Sequence, residues 1–248
     1  MQLSSYILIL VFFLTSLSKY AQTNNKERNF GFEAGTIIPI NYFGAGPLKL
    51  PENNSELTLS SKVGYHFGMV IKTNYGKRFC IENGINFLRR NFMIYGSSQF
   101  NGSSTSDTSN FGYINYGIPI KGSVFIQLDK EIFMSTTVGA SLDFYASAVG
   151  SKGINYYIDH ISDRARWING SICAEIGVES RNQTNGSFHV GIGVNIPIST
   201  IAVTKLKYFY NSSDINDYDR YENIFLRGNF FNLNLRYYLP SSLEDKKN

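Results

Sequence analysis

His160 and Ser162 lie two residues apart, and they are the side chains of this chain best suited to covalent catalysis. A serine hydroxyl becomes a nucleophile when a histidine within hydrogen-bonding reach accepts its proton and a third group orients the ring. Asp159, Asp163 and Glu175 are carboxylates close by in the sequence. One such pair arises readily by chance in a serine-rich chain, so we expect no enzyme. A membrane-embedded hydrolase or acyltransferase that uses His160 and Ser162 stays open as an alternative.

The segment 205–223 combines aromatic and acidic side chains. Its three aspartates, Asp214, Asp217 and Asp219, are suitable oxygen ligands for Ca²⁺, but their spacing is not that of an EF-hand. The chain also lacks a Gly-x-Ser-x-Gly, a His-Glu-x-x-His, a paired-cysteine metal motif and a phosphate-binding loop. We therefore expect no catalytic residues, no metal and no cofactor. Mixed aromatic and acidic loops of this kind are suited to contacts with proteins or glycans.

The composition is unusual for a soluble protein and argues against nucleic acid as a partner. Charged residues make up 17% of the 248 residues, whereas soluble domains contain roughly 25%. The net charge of +4 comes from scattered lysines and arginines, not from the basic stripe that binds phosphates.

The two ends of the chain differ from the part between them. An apolar run at 6–17 is followed by a short polar segment that reaches Ala21 and Gln22. A helix of that length is too short to cross a bilayer, which needs about 20 residues, and the pattern is typical of a secretory signal peptide. We predict that 1–22 is a signal peptide, that 23–240 is one domain and that 241–248 is a polar C-terminal tail.

Between those ends, apolar and polar residues alternate with a period of two, which predicts β-strands. Eight segments follow this pattern: 30–40, 58–73, 79–94, 111–127, 132–148, 164–180, 187–203 and 223–239. Three of the connections are short turns. The other four are long and polar, and they cover 41–57, 95–110, 149–163 and 204–222. Short and long connections alternate strictly, which is typical of outer-membrane barrels with short periplasmic turns and long external loops.

The residues between the apolar ones decide which face points inward. In the stretch 188–198 the even positions are apolar, and the odd ones include His189, Gly191 and Gly193. A solvent-exposed face would carry long Lys and Glu side chains, whereas small residues fit the narrow interior of an eight-stranded barrel. The apolar face is therefore predicted to meet lipid. Pro197 has no N–H to donate, so we predict a bulge or a locally unpaired position there.

The same alternation places charged side chains inside. Buried charges are costly unless they are paired and hydrogen-bonded, so we predict an ion-pair network in the interior. Its predicted members are Glu33, Lys72, Glu82, Arg90, Lys121, Asp143, Glu175 and Arg236. Outward aromatic residues are expected to form belts at the two membrane surfaces, with Phe30, Phe32, Phe79, Phe188 and Tyr237 at one and Tyr116 and Phe144 at the other.

With these strands in place, the chain resembles the small outer-membrane β-barrel proteins of Bacteroidetes-type bacteria. The stretches that carry the resemblance are FCIENGINFLRRNF, YINYGIPIKG, IFMSTTVGASLDFYAS and the closing NFFNLNLRYYL. The closing stretch also resembles the C-terminal signal that the outer-membrane assembly machinery reads, although this chain continues beyond it. The resemblance covers about residues 27 to 240 and implies a bacterial outer-membrane location.

The fold that we predict is therefore an all-β, eight-stranded antiparallel up-and-down transmembrane β-barrel spanning 23–240. A non-enzymatic barrel is expected to contact outer-membrane lipid and to act through its loops 41–57, 95–110, 149–163 and 204–222. Its partners there would be other envelope proteins or glycans, in secretion, uptake or adhesion. A lipid-modifying enzyme and a narrow solute channel are the alternatives.

Overall fold

The computed structural model of the chain describes residues 26–40, 48–52, 55–100, 103–146, 148–182, 184–209 and 220–240. The predicted signal peptide and C-terminal tail lie outside these residues. The described residues form strands and their connections, with no helix. The strands are β1 (Lys26–Pro39), β2 (Leu48–Glu52), β3 (Ser55–Tyr75), β4 (Phe79–Phe100), β5 (Ser103–Gln127), β6 (Ile132–Tyr145), β7 (Val149–Lys152), β8 (Ile158–Arg164), β9 (Ile168–Asn182), β10 (Gly186–Pro197), β11 (Ala202–Tyr208), β12 (Arg220–Leu226) and β13 (Phe230–Tyr238).

Eight of these strands close into a ring. Going round it, each strand pairs in antiparallel fashion with the next, in the order β1, β3, β4, β5, β6, β9, β10 and β13, and β13 pairs back with β1. The order along the ring follows the order along the chain, which is the predicted up-and-down arrangement. The predicted all-β, antiparallel, eight-stranded fold is therefore confirmed at this level.

Burial alternates along the ring strands as the sequence predicts. On β10, Phe188 and Ile192 point outward and are exposed, while His189, Gly191 and Gly193 point inward and are buried. The outward face of the ring is thus apolar, and its inward face is polar and rich in glycine.

The ring has two different ends, which we name the turn end and the cap end. At the turn end β3 joins β4, β5 joins β6 and β9 joins β10 through short connections. At the cap end, β4 and β5 continue well beyond their predicted limits, and β3 continues slightly beyond its own. The segments predicted as long loops are thus partly strands: β7 and most of β8 lie in 149–163, and parts of β11 and β12 lie in 204–222.

Two predicted strands are shorter in the ring than the alternation indicates. The segment 187–203 stops as a ring strand at Pro197, and the chain then enters β11. The segment 223–239 is split into β12 and β13 by a connection that contains Gly228, whose φ is +76°. That backbone conformation is easily reached only by glycine, so it interrupts an extended strand.

Pro197 lies in a ladder that is regular on one side. It pairs with Ser171 of β9 without a bulge, and the N–H of the next residue, Ile198, donates to the Gly170 carbonyl. Alternate residues of an antiparallel strand face opposite neighbours, so the nitrogen of Pro197 faces β13. The β10–β13 pairing has already ended at Asn195. The predicted bulge is therefore wrong, and the predicted unpaired position is found on the β13 side.

The strands β7, β8, β11 and β12 form a second antiparallel sheet, which we name the cap sheet. It packs against the extended parts of β3, β4 and β5 over a hydrophobic cap core. That core contains Leu57, Leu59, Phe92, Ile94, Phe111, Tyr113, Tyr145, Ile158, Ile201, Ala202, Leu206, Tyr208, Ile224 and Leu226.

The interior thus changes from polar to apolar towards the cap end. On β3 a register shift between Lys62 and Tyr65 accompanies the change. Between the shift and the turn end, even-numbered residues such as His66 point inward. Between the shift and the cap end, odd-numbered residues such as Leu57 point inward.

Candidate functional site

The eight residues predicted to form an interior network all lie on ring strands and point inward. Seven of them are buried, and the side chain of Lys121 is 12% exposed. The structure brings five of them together in one group, pairs Lys72 with residues that were not predicted, and leaves Arg90 and Asp143 apart.

The larger group is centred on Arg236 of β13, which is 1% exposed. Its Nη2 lies 2.6 Å from Glu175 Oε2 and its Nη1 donates to Glu175 Oε1 at 2.7 Å, so the two side chains form a bidentate pair. Arg236 Nε donates to Glu33 Oε2 at 3.2 Å, and Nη1 lies 3.8 Å from Glu82 Oε2. Lys121 Nζ approaches the same Glu33 oxygen at 3.6 Å. Two cations therefore neutralise most of the charge of three carboxylates in the middle of the ring.

Lys72 belongs to the second group, nearer the turn end. Its ammonium pairs with Glu179 of β9, and Arg181 Nε donates to the same Glu179 oxygen at 2.6 Å. Both cations lie over the Phe125 ring, at 4.7 Å for Lys72 and 4.1 Å for Arg181. Glu179 and Arg181 were not among the predicted members of the network. The parity of β9 pointed to Glu179, because it has the same inward orientation as Glu175 four residues earlier.

Arg90 and Asp143 complete the predicted set, but neither forms an ion pair within the described part of the chain. Arg90 hydrogen-bonds Asn115 and donates from Nε to the Gly228 carbonyl at 3.1 Å. Its guanidinium also lies 5.0 Å from the centre of the Phe230 ring. Asp143 accepts a hydrogen bond from the Ser141 hydroxyl at 2.9 Å.

Apolar layers separate the polar groups along the interior. At the turn end Cys80, Phe125 and Phe133 form one buried cluster. Towards the cap end Ile37, Leu88 and Phe230 form another, and the cap core lies beyond them.

An interior cavity of about 40 Å³ remains beside the Arg236 group. Its lining includes Glu33, His66, Lys121, Asp143 and Glu175. That volume holds only a few water molecules, since one needs at least ~10–15 Å³ of such space.

His160 and Ser162 lie on the inward face of β8, in the cap. His160 Nε2 and Ser162 Oγ are 2.7 Å apart, and Ser162 Oγ is in turn 2.7 Å from Thr204 Oγ1 of β11. On its other side His160 Nδ1 meets the Ser151 hydroxyl of β7 at 2.9 Å. The ring stacks on Phe111 with centroids 3.9 Å apart. The pair is therefore part of a hydroxyl–imidazole chain that links three strands of the cap sheet.

Three of the four side chains in this hydrogen-bonded chain have no access to solvent, Ser151 is part-buried, and none of the four is a carboxylate. His160, Ser162 and Thr204 are each 0% exposed. Burial lowers the pKa of His160 from 6.5 to about 4, so the ring is neutral at pH 7. Asp159 and Asp163 are on the opposite face of the strand and are only half-buried. Glu175, the third carboxylate considered, is bound to Arg236 inside the ring.

Asp107 of β5 fixes the connection between β7 and β8. The carboxylate is buried and accepts hydrogen bonds from the backbone N–H groups of Asn155, Tyr157 and Ile158 at 2.9, 2.9 and 3.1 Å. A carboxylate that satisfies three backbone donors from another segment holds that segment in one conformation. The cap is thus a folded unit where sequence analysis predicted a loop.

Much of segment 205–223 lies outside the described residues, including Asp214, Asp217 and Asp219. Within the described ranges, no group of three or more His, Cys, Asp or Glu side chains is arranged to hold a metal ion. The described residues contain no helix of sufficient length and apolar character to span a membrane.

No protein-family model and no curated protein matches the chain.

Proposed function

We propose that the ring is a transmembrane β-barrel of the bacterial outer membrane and that it has no catalytic activity. It presents its cap and loops to other envelope proteins or to glycans. The observation that carries this proposal is the continuous apolar outward face of a closed ring whose interior is polar. A bilayer favours such a structure, because a closed ring leaves no unpaired strand edge in lipid and its outward side chains are mostly apolar.

The height of the apolar band supports a membrane location. The band runs from Phe188 on β10 to Ile198, just past the end of that strand, which is about 33 Å of chain at roughly 3.3 Å per residue. At a tilt of about 40°, this length projects to a band of about 25 Å, the height usual for outer-membrane barrels.

Outward aromatic side chains lie at both edges of this band. Phe30, Phe32, Phe79, Phe188 and Tyr237 are exposed near the turn end. Tyr65, Tyr116 and Trp167 are exposed towards the cap end, where Phe144 also contacts Trp167. These two groups are suited to the aromatic belts of a membrane protein.

The interior argues against the narrow solute channel as an alternative. Along the axis, the Phe125 cluster, the two ion-pair groups, the Phe230 cluster and the cap core follow one another. The cavity between them holds only a few waters. Conduction would require several of these layers to move, so a structural or binding role is favoured.

The contact between His160 and Ser162 is the one observation that favours a hydrolase. A nucleophile needs access to its substrate and a base that is oriented by a third group. Both residues are fully buried, and the group on Nδ1 of the histidine is the Ser151 hydroxyl. Binding is therefore the better-supported function, and the contact is better explained as cap structure.

The membrane proposal is tested by quenching tryptophan fluorescence with brominated lipids, because the chain has a single tryptophan, Trp167. Three proteins in bilayers are compared. They are the natural chain, Trp167→Phe with Ile120→Trp in the middle of the apolar band, and Trp167→Phe with Phe225→Trp on the cap sheet. Bromine placed deep in the acyl chains should quench position 120 most and position 225 least. Equal, weak quenching at 120 and 225 in folded protein would refute a membrane location.

The channel and partner questions need separate experiments. In planar bilayers we expect no conductance steps of the size that a porin gives, and such steps would contradict the sealed interior. In native membranes, photocrosslinkers placed at the outward position 225 of the cap should give discrete adducts with envelope components, whereas a crosslinker at position 120 should give lipid adducts. Adducts that are the same at both positions would contradict binding through the cap.

A further inference from the structure

Two cations lie side by side on the outward face of the ring, at the cap-end edge of the apolar band. Arg89 of β4 pairs across the sheet with Tyr65 of β3 and Ile114 of β5, so it lies level with Tyr65, one of the exposed aromatic residues towards the cap end. Lys62 is exposed, two residues beyond Gly64 on β3. Together with Asn91 and Asn110 they form a polar patch, which we name the rim patch.

Hydrogen bonds hold the rim patch in place. Lys62 Nζ donates to Asn110 Oδ1 at 3.0 Å, across β4. Arg89 Nε donates to Asn91 Oδ1 at 3.2 Å, and Asn91 Nδ2 donates to the Val63 carbonyl at 2.9 Å. Each amide oxygen thus accepts from one cation, and the cations are fixed relative to one another.

Gly112 makes room for the arginine. A Cβ atom at this position would lie 2.5 Å from Arg89 Nε and 3.0 Å from its Nη2. Because glycine lacks that atom, the guanidinium lies flat against the sheet between β4 and β5. Any larger residue would push it away from Asn91.

Both cations keep donors that no group among the described residues uses. Neither Lys62 nor Arg89 contacts a carboxylate in the part of the chain that the structure describes. The terminal nitrogens of Arg89 and two of the three ammonium hydrogens of Lys62 remain available to an acceptor outside the chain. At the edge of a membrane, such an acceptor is best supplied by an anionic headgroup, since phosphate oxygens match the guanidinium fork.

The exposed charges at the turn end differ in sign pattern from those of the rim patch. At the turn end the exposed charges have both signs, and they are Glu27, Arg28, Lys77, Arg78, Asp129, Lys130 and Glu131. At the junction of ring and cap, the nearest carboxylate on β8 is Asp163, which is already paired with Lys205 at 3.0 Å. Uncompensated positive charge at the apolar edge is therefore a feature of the cap end.

We propose that the rim patch binds the phosphate of a lipid headgroup in the outer leaflet, with Lys62 and Arg89 as its ligands. This inference rests on the proposed membrane location of the ring. The acyl chains of that lipid would lie along the aromatic cluster directly below the patch, where Phe67 and Phe87 stack at 4.8 Å and Tyr116 meets Phe87 at 5.7 Å. A phosphorylated glycolipid such as lipid A has this combination of phosphate and acyl chains.

The test is native mass spectrometry of the full chain in detergent, with doubly phosphorylated lipid A as the probe. The variant is Lys62→Gln with Arg89→Gln, and the matched control is Arg78→Gln with Lys130→Gln, which removes the same charge at the turn end. The loss of two charge-assisted contacts should weaken lipid A binding by about tenfold. The control should bind lipid A like the natural chain. Dephosphorylated lipid A should bind weakly to all three proteins.

Flotation with vesicles of phosphatidylcholine separates this inference from the proposed function. If all three proteins float but the rim variant binds lipid A as the natural chain does, the rim patch is not a phosphate site and the membrane ring stands. Equal binding of phosphorylated and dephosphorylated lipid A would also overturn the inference. If none of the folded proteins associates with vesicles, the proposed function falls and the inference falls with it.

Discussion

Replacement of Arg236 by methionine tests the interior network most directly. The substitution keeps a flexible, unbranched apolar side chain, shorter than that of arginine, and removes the charge from a position that is 1% exposed. It leaves Glu175, Glu33 and Glu82 without the guanidinium that lies 2.6, 3.2 and 3.8 Å from their oxygens. Lys121, 3.6 Å from Glu33, is the cation that remains near them.

The expected cost follows from the unpaired charges rather than from the lost contacts. Removing one partner of a buried ion pair typically destabilises a protein by about 3–5 kcal/mol, because the other charge stays buried without compensation. Because Glu175 forms the bidentate pair, it should account for most of this cost. Addition of Glu175→Gln to Arg236→Met should then recover about 0.5–3 kcal/mol, the range of coupling between residues in contact.

Urea unfolding of protein folded in detergent micelles, followed by the fluorescence of Trp167, gives the free energy of unfolding. Arg78→Met is the matched control, because Arg78 is an exposed arginine in the connection between β3 and β4. Its effect should stay within about 0.5 kcal/mol. The reasoning is refuted if Arg236→Met costs less than about 1 kcal/mol, or if the added Glu175→Gln makes the protein less stable still.

Three further predictions concern the cap and the inward face. The pKa of His160 is about 4 in the folded cap and about 6.5 when unfolded, so the unfolded cap binds more protons between these values. The stability of the cap should therefore fall by up to about 3 kcal/mol from pH 6.5 to pH 4. Limited proteolysis of the β7–β8 connection checks this, and His160→Gln should weaken its pH dependence. Gly139→Val should cost about 1–3 kcal/mol in urea unfolding because its side chain would collide with the Ile120 carbonyl and Lys121, whereas Ala140→Val on the outward face should be nearly neutral. Asp107→Ala should make the same connection cleavable at pH 7, since its N–H donors lose their acceptor; unchanged resistance would contradict this.

The sequence was sufficient to predict the ring because each of its strands repeats one local rule. A side-chain period of two fixes which residues share a face, and glycine or a small polar residue at the other positions identifies the crowded one. Glu33, Glu175 and Arg236 were assigned to the interior in this way, without knowledge of any strand pairing. The short turns were equally local, because polar residues and glycine mark them directly.

The cap sheet could not be predicted from local alternation. Its strands are short, from 4 residues in β7 to 7 in β8, β11 and β12, and their polar outward residues make the segments look like loops. Their apolar residues are buried only because β8 and β11 pack over Phe92 and Phe111 of ring strands far away in the sequence. The pair His160 and Ser162 illustrates the consequence. Spacing suggested catalysis, and the fold placed the pair inside a sealed core.

The sequence by itself therefore determined the class of fold, the number of ring strands and, for most ring residues, the side on which they lie, because alternation is a property of the extended backbone. The register shift on β3 reverses the alternation towards the cap end. The tertiary structure decided which charges meet. Glu175 and Arg236 are 61 residues apart and on strands separated by β10, so their contact depends on the closure and stagger of the ring. The tertiary structure also decided that Lys72 pairs with Glu179 rather than with a predicted partner, and that the cap closes one end of the ring. Both depend on contacts between segments that no local sequence pattern relates.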